Sequence, residues 1–419
     1  MLGGLGVGAG VTVTTLLAFE LSGSAALAGL AASASAFGAG LSAAAIGASA
    51  RFGRRPGLVV GYLVGVAGAA LAVLAAVASS FPLMVAATFL FGSSNASNLQ
   101  ARYAATDLAT PGRRGSDLSL VVWATTVGAV LGPNLTGPGV FAAELIGVPA
   151  LAGPYLLSVS GFATAALLLA LGLRPDPLLL ARRLADAPTG PDADDGAESG
   201  LPSHADGGMR RQSPIRVALV AVGADPSARA AIATIASAQA VMVGVMVMTP
   251  AHLGDHGADV RIIGFTISLH IFGMYAFSPV FGRLTDRLGP RVVLGLGFGQ
   301  LLGAVALAAL STPQGGAGFL AGLLLLGTGW SAALIASSAL LTTSLPLDAR
   351  APAQGLSDLA MNVAGGSAGA LSGLIMTLLG FPLLAATTIV VLLVPASMVA
   401  TDVRRQRARA PETVSGPPA

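Results

Sequence analysis

Apolar windows of about 20 residues, separated by short polar breaks, recur along almost the whole chain, and they leave little choice of fold. That is the length at which an α-helix crosses roughly 30 Å of hydrocarbon, and there each backbone N–H and C=O must find its partner within the segment. The windows fall near 2–20, 24–47, 57–79, 82–102, 118–140, 149–173, 230–250, 261–281, 290–311, 317–341, 357–379 and 382–400. They predict an all-α membrane protein with about twelve transmembrane helices. Charged residues make up 10% of the 419, against the ~25% of an ordinary soluble domain. The 56 glycines fit the same class, because small residues let membrane helices approach closely where apolar burial no longer drives association. The opening stretch MLGGLGVGAGVTVTTLLAFE has no basic region ahead of its apolar run, so it is read as a first span and not as a cleaved signal.

The sixth and seventh windows are separated by a stretch rich in Pro, Gly, Asp and Arg. The expected organisation is a six-helix half over 1–173, a linker over 174–229, a second six-helix half over 230–400 and a tail over 401–419. All basic residues apart from histidine are arginines, and they cluster in alternate loops, in the linker and in the tail. Arg102, at one end of the fourth window, and Arg261, beside an opposite loop, are the departures. By the positive-inside rule the arginine-bearing segments are cytoplasmic, which places both termini inside a multi-pass protein of the cell inner (plasma) membrane. A weak repeat relates the halves: GRRPGLVVGYLVGVAGAAL from Gly53 parallels GPRVVLGLGFGQLLGAVAL from Gly289, and GAVLG at 128–132 parallels GALSG at 369–373.

Two loops carry related motifs. GRLTDRLGPR, at 282–291, holds Gly282, Asp286, Arg287, Gly289 and Arg291. IGASARFGRR, at 46–55, holds Arg51, Gly53, Arg54 and Arg55, with Ala50 where the first loop has its aspartate. The pattern resembles the loop signature of the major facilitator superfamily, and the resemblance covers essentially residues 1–400. It implies the major facilitator fold, two six-helix halves that move about a central site near mid-membrane, with these loops as the gate on the cytoplasmic face. WATTVGAVLGPNLTGPG resembles the Gly-rich fifth helix of that family through Gly128, Gly132 and Pro133, where glycines permit close helix contact and proline a kink. TFLFG, at 88–92, has threonine where proton antiporters of the family carry arginine.

Few ionisable groups sit inside the windows, and such groups are costly in hydrocarbon and usually functional. Glu20 and Glu144 fall near one end of their spans; Arg102, Asp107, Asp117 and Asp358 fall near the other. His270 is the mid-depth exception. MVGVM places Met242 and Met246 on one face of the seventh helix, and HIFGM does the same for His270 and Met274 on the eighth. Two thioethers facing an imidazole and a thioether make a ligand set for a soft cation such as Cu(I). The pair of motifs is similar to that of bacterial major facilitator copper importers involved in cytochrome oxidase assembly, which implies copper as a transported substrate. Methionine also fills gaps in apolar packing, and a buried histidine can serve as a proton carrier or a packing group, so these readings stay open.

The competing candidate lies on the fourth helix. Asn95, Asn98 and Arg102 fall at i, i+3 and i+7 and form one polar stripe. In the resembled fold this helix faces the cavity, which implies a proton-coupled transporter or exporter of a small organic compound or drug, with Glu20 or His270 as the titrating group. His252 and His256, with Asp255 and Asp259, are expected in a solvated loop at the outer mouth. Nothing points to an enzyme: there is no phosphate-binding GxxxxGK[ST] loop and no nucleophile beside a base. The expected partners are membrane lipid and a transported solute or metal ion, with no nucleic acid and no resident cofactor, in a chain acting as a monomer.

Overall fold

The computed structural model describes residues 1–186, 213–257, 260–311 and 316–409. The middle of the expected linker (187–212), Asp259 and the last ten residues of the expected tail lie outside them. The described chain is a helical bundle. Its first half contains α1 (Leu2–Ser22), α2 (Ala25–Ser49), α3 (Arg54–Val77), α4 (Phe81–Ala104), α5 (Arg114–Leu131), α6 (Thr136–Ile146) and α7 (Gly153–Gly172). Two short helices, α8 (Pro177–Asp186) and α9 (Pro214–Ala224), flank the undescribed stretch. The second half contains α10 (Pro226–Asp255), α11 (Val260–Ala276), α12 (Ser278–Leu288), α13 (Pro290–Leu310), α14 (Ala317–Ser344) and α15 (Leu347–Arg409).

Nine helices among the described residues are long and apolar enough to cross a membrane. Three features complete the pattern of twelve crossings. The helix α15 covers two spans, broken at Gly380, where φ is 75° and ψ 168°. The fifth span is interrupted by a 3-10 turn over Pro133–Leu135, so α5 and α6 together make one crossing. The helix α4 is long enough but too polar, because its second half carries Asn95, Asn98, Gln100 and Arg102. Large apolar side chains such as Leu63, Leu167, Leu171, Leu374 and Leu393 remain exposed along the spans, as expected of a surface solvated by lipid tails.

Glycine sets the closest approaches. Between α1 and α5, a Cβ on Gly8 would lie 2.6 Å from the Gly128 carbonyl oxygen, and one on Gly132 would lie 2.5 Å from the Gly8 Cα. The two spans therefore cross backbone on backbone at the glycines of the fifth-helix motif. A Cβ on Gly38 of α2 would collide with the carbonyl of Phe89 in α4, and one on Gly92 would come within 2.6 Å of the Ala39 nitrogen. Gly38→Leu is accordingly expected to destabilise the first half by about 1–3 kcal/mol or more through overpacking. A drop in apparent melting temperature of the purified protein, with Gly29→Leu as an uncrowded control, checks this; equal melting would refute the contact.

The two loop motifs share a backbone device. Gly53 and Gly289, equivalent in the repeat, adopt φ of 102° and 85°, a region that disfavours any side chain. Each residue ends one turn and precedes the first residues of a new span, α3 or α13.

Candidate functional site

The halves meet most closely at the arginine-rich face. Asp286, from the loop motif of the second half, accepts hydrogen bonds from the backbone N–H groups of Gly115 (2.7 Å) and Ser116 (2.8 Å). These are among the orphan donors at the start of α5, where a carboxylate gains both charge-assisted bonds and the helix dipole. Glycine makes the approach possible: a Cβ on Gly115 would lie 2.6 Å from the Gly282 carbonyl oxygen.

The first-half motif behaves differently. Ala50 has no carboxylate to offer, and α2 meets α15 through Gly47 and Gly355, where a Cβ on Gly47 would lie 2.7 Å from the Ala351 carbonyl oxygen. Arg54 supplies the polar link instead. It is buried, pairs through both Nε and Nη2 with Asp107 (2.8 and 3.0 Å), and donates to Gln354 in the other half. Arg55 contributes its backbone N–H to Asp176 (2.8 Å), and Arg291 pairs with Asp402 (2.7 Å). Arg287 is exposed, and Arg51 stacks over the Phe52 ring at 4.7 Å; neither forms a salt bridge with a described residue.

Behind this layer lies a second contact between the halves. Arg102 of α4 donates from Nη2 to Asp358 Oδ1 at 2.6 Å, and each side chain is only 1% exposed. The guanidinium also donates to the Leu99 carbonyl (2.6 Å), to the Tyr103 hydroxyl (2.9 Å) and to Ser338 of α14 (3.4 Å). Asp358 Oδ2 is buried and has no hydrogen-bond partner among the described residues.

Directly above this pair is a cavity of about 250 Å³, walled by α1, α4 and α5 from one half and by α11 and α14 from the other. The polar stripe of α4 faces into it: Asn95, Asn98 and Arg102 all line the wall. Asn98 accepts a weak bond from the Tyr62 hydroxyl (3.4 Å), whereas the Asn95 amide makes no hydrogen bond to a described residue. Thr12, Thr125 and Tyr275 add further polar atoms to a wall otherwise built from Val7, Val11, Leu99, Val122, Ile271 and Leu334. An apolar pocket with a few convergent donors and acceptors is suited to an organic solute held by a small number of directed bonds.

The four Met and His candidates are distributed otherwise. Met274 lines the cavity, but Met242, Met246 and His270 are not among its lining residues. His270 is buried with its Nδ1 on the Leu323 carbonyl of α14 (3.0 Å), and its Nε2 has no partner among the described residues. Met242 packs in the same apolar cluster as Met274, with Met246 against its edge. No group of three or more His, Asp or Glu side chains placed to hold a metal ion occurs among the described residues. His252 is not solvated as the loop reading expected; it is buried and stacks on Phe381 at 4.1 Å and 9°. Glu20, named above for proton coupling, is exposed at the end of α1.

Two six-helix halves around a central cavity, with no strand among the described residues, define a polytopic helical membrane protein. A family model described as Major Facilitator Superfamily matches residues 1–259 and 230–417, and the chain belongs to that superfamily. It is 38% identical over 376 residues to the MFS-type transporter YddS of Bacillus subtilis (strain 168), covering 89% of this chain and 82% of that one. It is 29% identical over 312 residues to the riboflavin transporter RfnT of Brucella anthropi, covering 74% of this chain and 70% of the relative. Among solved structures it resembles the human organic anion transporter MFSD10 at a TM-score of 0.71 and 18% identity, covering 95% of this chain and 97% of that one, a likeness of fold.

Asp358, Asp107, Gln354 and Tyr275 were not legible as site residues. Asp358 and Asp107 show in the sequence only as carboxylates near span ends, and nothing in the spacing links Asp358 to Arg102.

Proposed function

We propose that this chain moves a small, largely apolar organic solute bearing hydrogen-bonding groups, by alternating access of the central cavity to the two sides of the membrane. The observation that carries the reading is the α4 stripe: three polar side chains turned into a mostly apolar cavity shared by both halves. The amide of Asn95 makes no hydrogen bond to a described residue and is half-buried, so a solute can take its donors and acceptor without displacing a bond made among them. With the arginine-rich face in the cytoplasm, as the positive-inside rule places it, the described conformation is the one closed to the cytoplasm.

The relative RfnT makes riboflavin the first probe, since it presents a flat ring system with hydrogen-bond donors and acceptors at its edge. In cells expressing the chain, accumulation or efflux of labelled riboflavin and of a panel of organic anions would be followed for wild type, Asn95→Ala and Asn98→Ala. Losing one directed bond is worth about 1–1.5 kcal/mol, so transport at low solute should fall roughly 5- to 13-fold in each variant. Equal transport by wild type and both variants would sink the assignment of the cavity. Copper accumulation measured in the same cells tests the soft-metal reading, which has one ligand, Met274, on the cavity wall. Copper uptake that is lost in Met242→Ala and His270→Ala would restore it.

A further inference from the structure

We infer that Asp358 is a proton-binding site that couples solute movement to a proton, with Arg102 released to hold an anionic group of the solute while Asp358 is neutral. This rests on the transport reading above and adds the coupling ion and the charge of the solute.

Among the described carboxylates that link separate elements, Asp358 differs from the others in one respect. Asp107 has both oxygens on Arg54, Asp286 has both on backbone N–H groups of α5, and Asp402 has both on Ser227. Asp176 likewise uses both, on the N–H groups of Arg55 and of Leu178. Asp358 uses only Oδ1; its Oδ2 is sealed from solvent and has no partner among the described residues. A buried carboxylate with one satisfied and one unsatisfied oxygen is the place where a proton adds without breaking a bond already made.

The surroundings give that proton a consequence. Arg102 and Tyr103 face Asp358 from α4, and Arg54 approaches from α3 with its charge committed to Asp107. The helices α2 and α14, packed against the same span, carry no ionisable side chain. Of the other helices against α15, α9 has Arg216, α10 has Arg229, His252 and Asp255, and α13 has Arg291, which is held by Asp402. Arg102 is thus the cation most directly affected. It stays charged under all ordinary conditions. When a proton neutralises Asp358, the attraction that closes the two halves at this level is lost, and Arg102, on the cavity floor, is left without a counter-ion. An anionic group of the solute supplies one. The charges balance: one proton on Asp358 and one negative charge at Arg102 enter together, and the site keeps the neutrality it had as an ion pair. One monoanion then moves with one proton.

The chain has no cysteine, so spin labels can be placed at Phe52→Cys and Leu288→Cys, exposed positions on the arginine-rich face in opposite halves. The full-length protein in lipid nanodiscs would be measured by pulsed electron resonance from mildly alkaline to mildly acidic pH. Wild type should shift from a short to a long distance as pH falls. Asp358→Asn, which keeps the bond from Arg102 but cannot ionise, should show the long distance at every pH, and Asp358→Glu should restore a pH response. A wild-type distance that ignores pH overturns the inference. So does a response that survives in Asp358→Asn and vanishes in Asp286→Asn, since the cap on α5 would then be the titrating contact. If Asp358→Asn fails to fold, the Asp358→Glu curve decides: a midpoint identical to wild type counts against Asp358. A solute that accumulates with no pH effect on the distance sinks the inference and leaves the transport reading standing, and a normal pH response with no accumulated solute does the reverse.

Discussion

Arg102→Ala should abolish transport and destabilise the protein by about 3–5 kcal/mol, the range found when one partner of a buried ion pair is removed. Both side chains of the pair are sealed, so the surviving carboxylate of Asp358 would have neither water nor a cation to stabilise its charge. Tyr103 and Ser338 would lose the donor that ties them into the same network. The double variant Arg102→Ala with Asp358→Ala should recover most of the stability, because it leaves no charge behind, but none of the transport. Thermal unfolding of the purified proteins separates the two effects. A single variant as stable as wild type would mean that the pair is not closed in the membrane as it is in the structure.

Gly282→Val should produce the second large effect, at the outer layer of the same face. A side chain there has no room beside Ser119 and would lie 2.6 Å from the Gly115 carbonyl oxygen. Pushing α12 off α5 also pulls Asp286 from the two N–H groups that it caps. Overpacking of this kind costs roughly 1–3 kcal/mol, which as a bias between two conformations is on the order of a 5- to 150-fold change in their ratio. The spin-label pair across the face should report the open distance at all pH values, with transport reduced in proportion. Retention of the closed distance would show that the glycine contact does not hold the halves together.

The fold was readable because membrane solvation imposes a length on every span and leaves arginine in alternate loops. Both signals are local and need no partner. The kinked fifth span was also readable, since Gly132 and Pro133 act on their own backbone. The site was only half readable. The spacing of Asn95, Asn98 and Arg102 fixes their common face on α4, and that face does line the cavity. Spacing says nothing about which face of α11 is turned inward. Met274 and Tyr275 line the cavity while His270, one turn away, is held on the Leu323 carbonyl, because packing against α14 sets the rotation of the helix. A lone imidazole at mid-depth draws attention in a sequence; a carboxylate near a span end does not. Yet Asp358 is the one whose partner lies in the other half, and no local periodicity encodes a contact between segments that far apart in the chain.

The two seams between the halves are built from different materials. Along α5 and α12 a carboxylate on two amide hydrogens is added to the close backbone contact of Gly115 and Gly282, while along α2 and α15 the contact is backbone alone at Gly47 and Gly355, with Ala50 where an aspartate would make the seams alike. The first is a latch, strong when charged and released by anything that neutralises or displaces one group. The second is backbone packed on backbone, and the ion pair nearest to it in the chain is Asp358 with Arg102 of the other half. Opening the face therefore requires two separate releases, the cap of Asp286 on α5 and the pair of Arg102 with Asp358 beside the glycine seam.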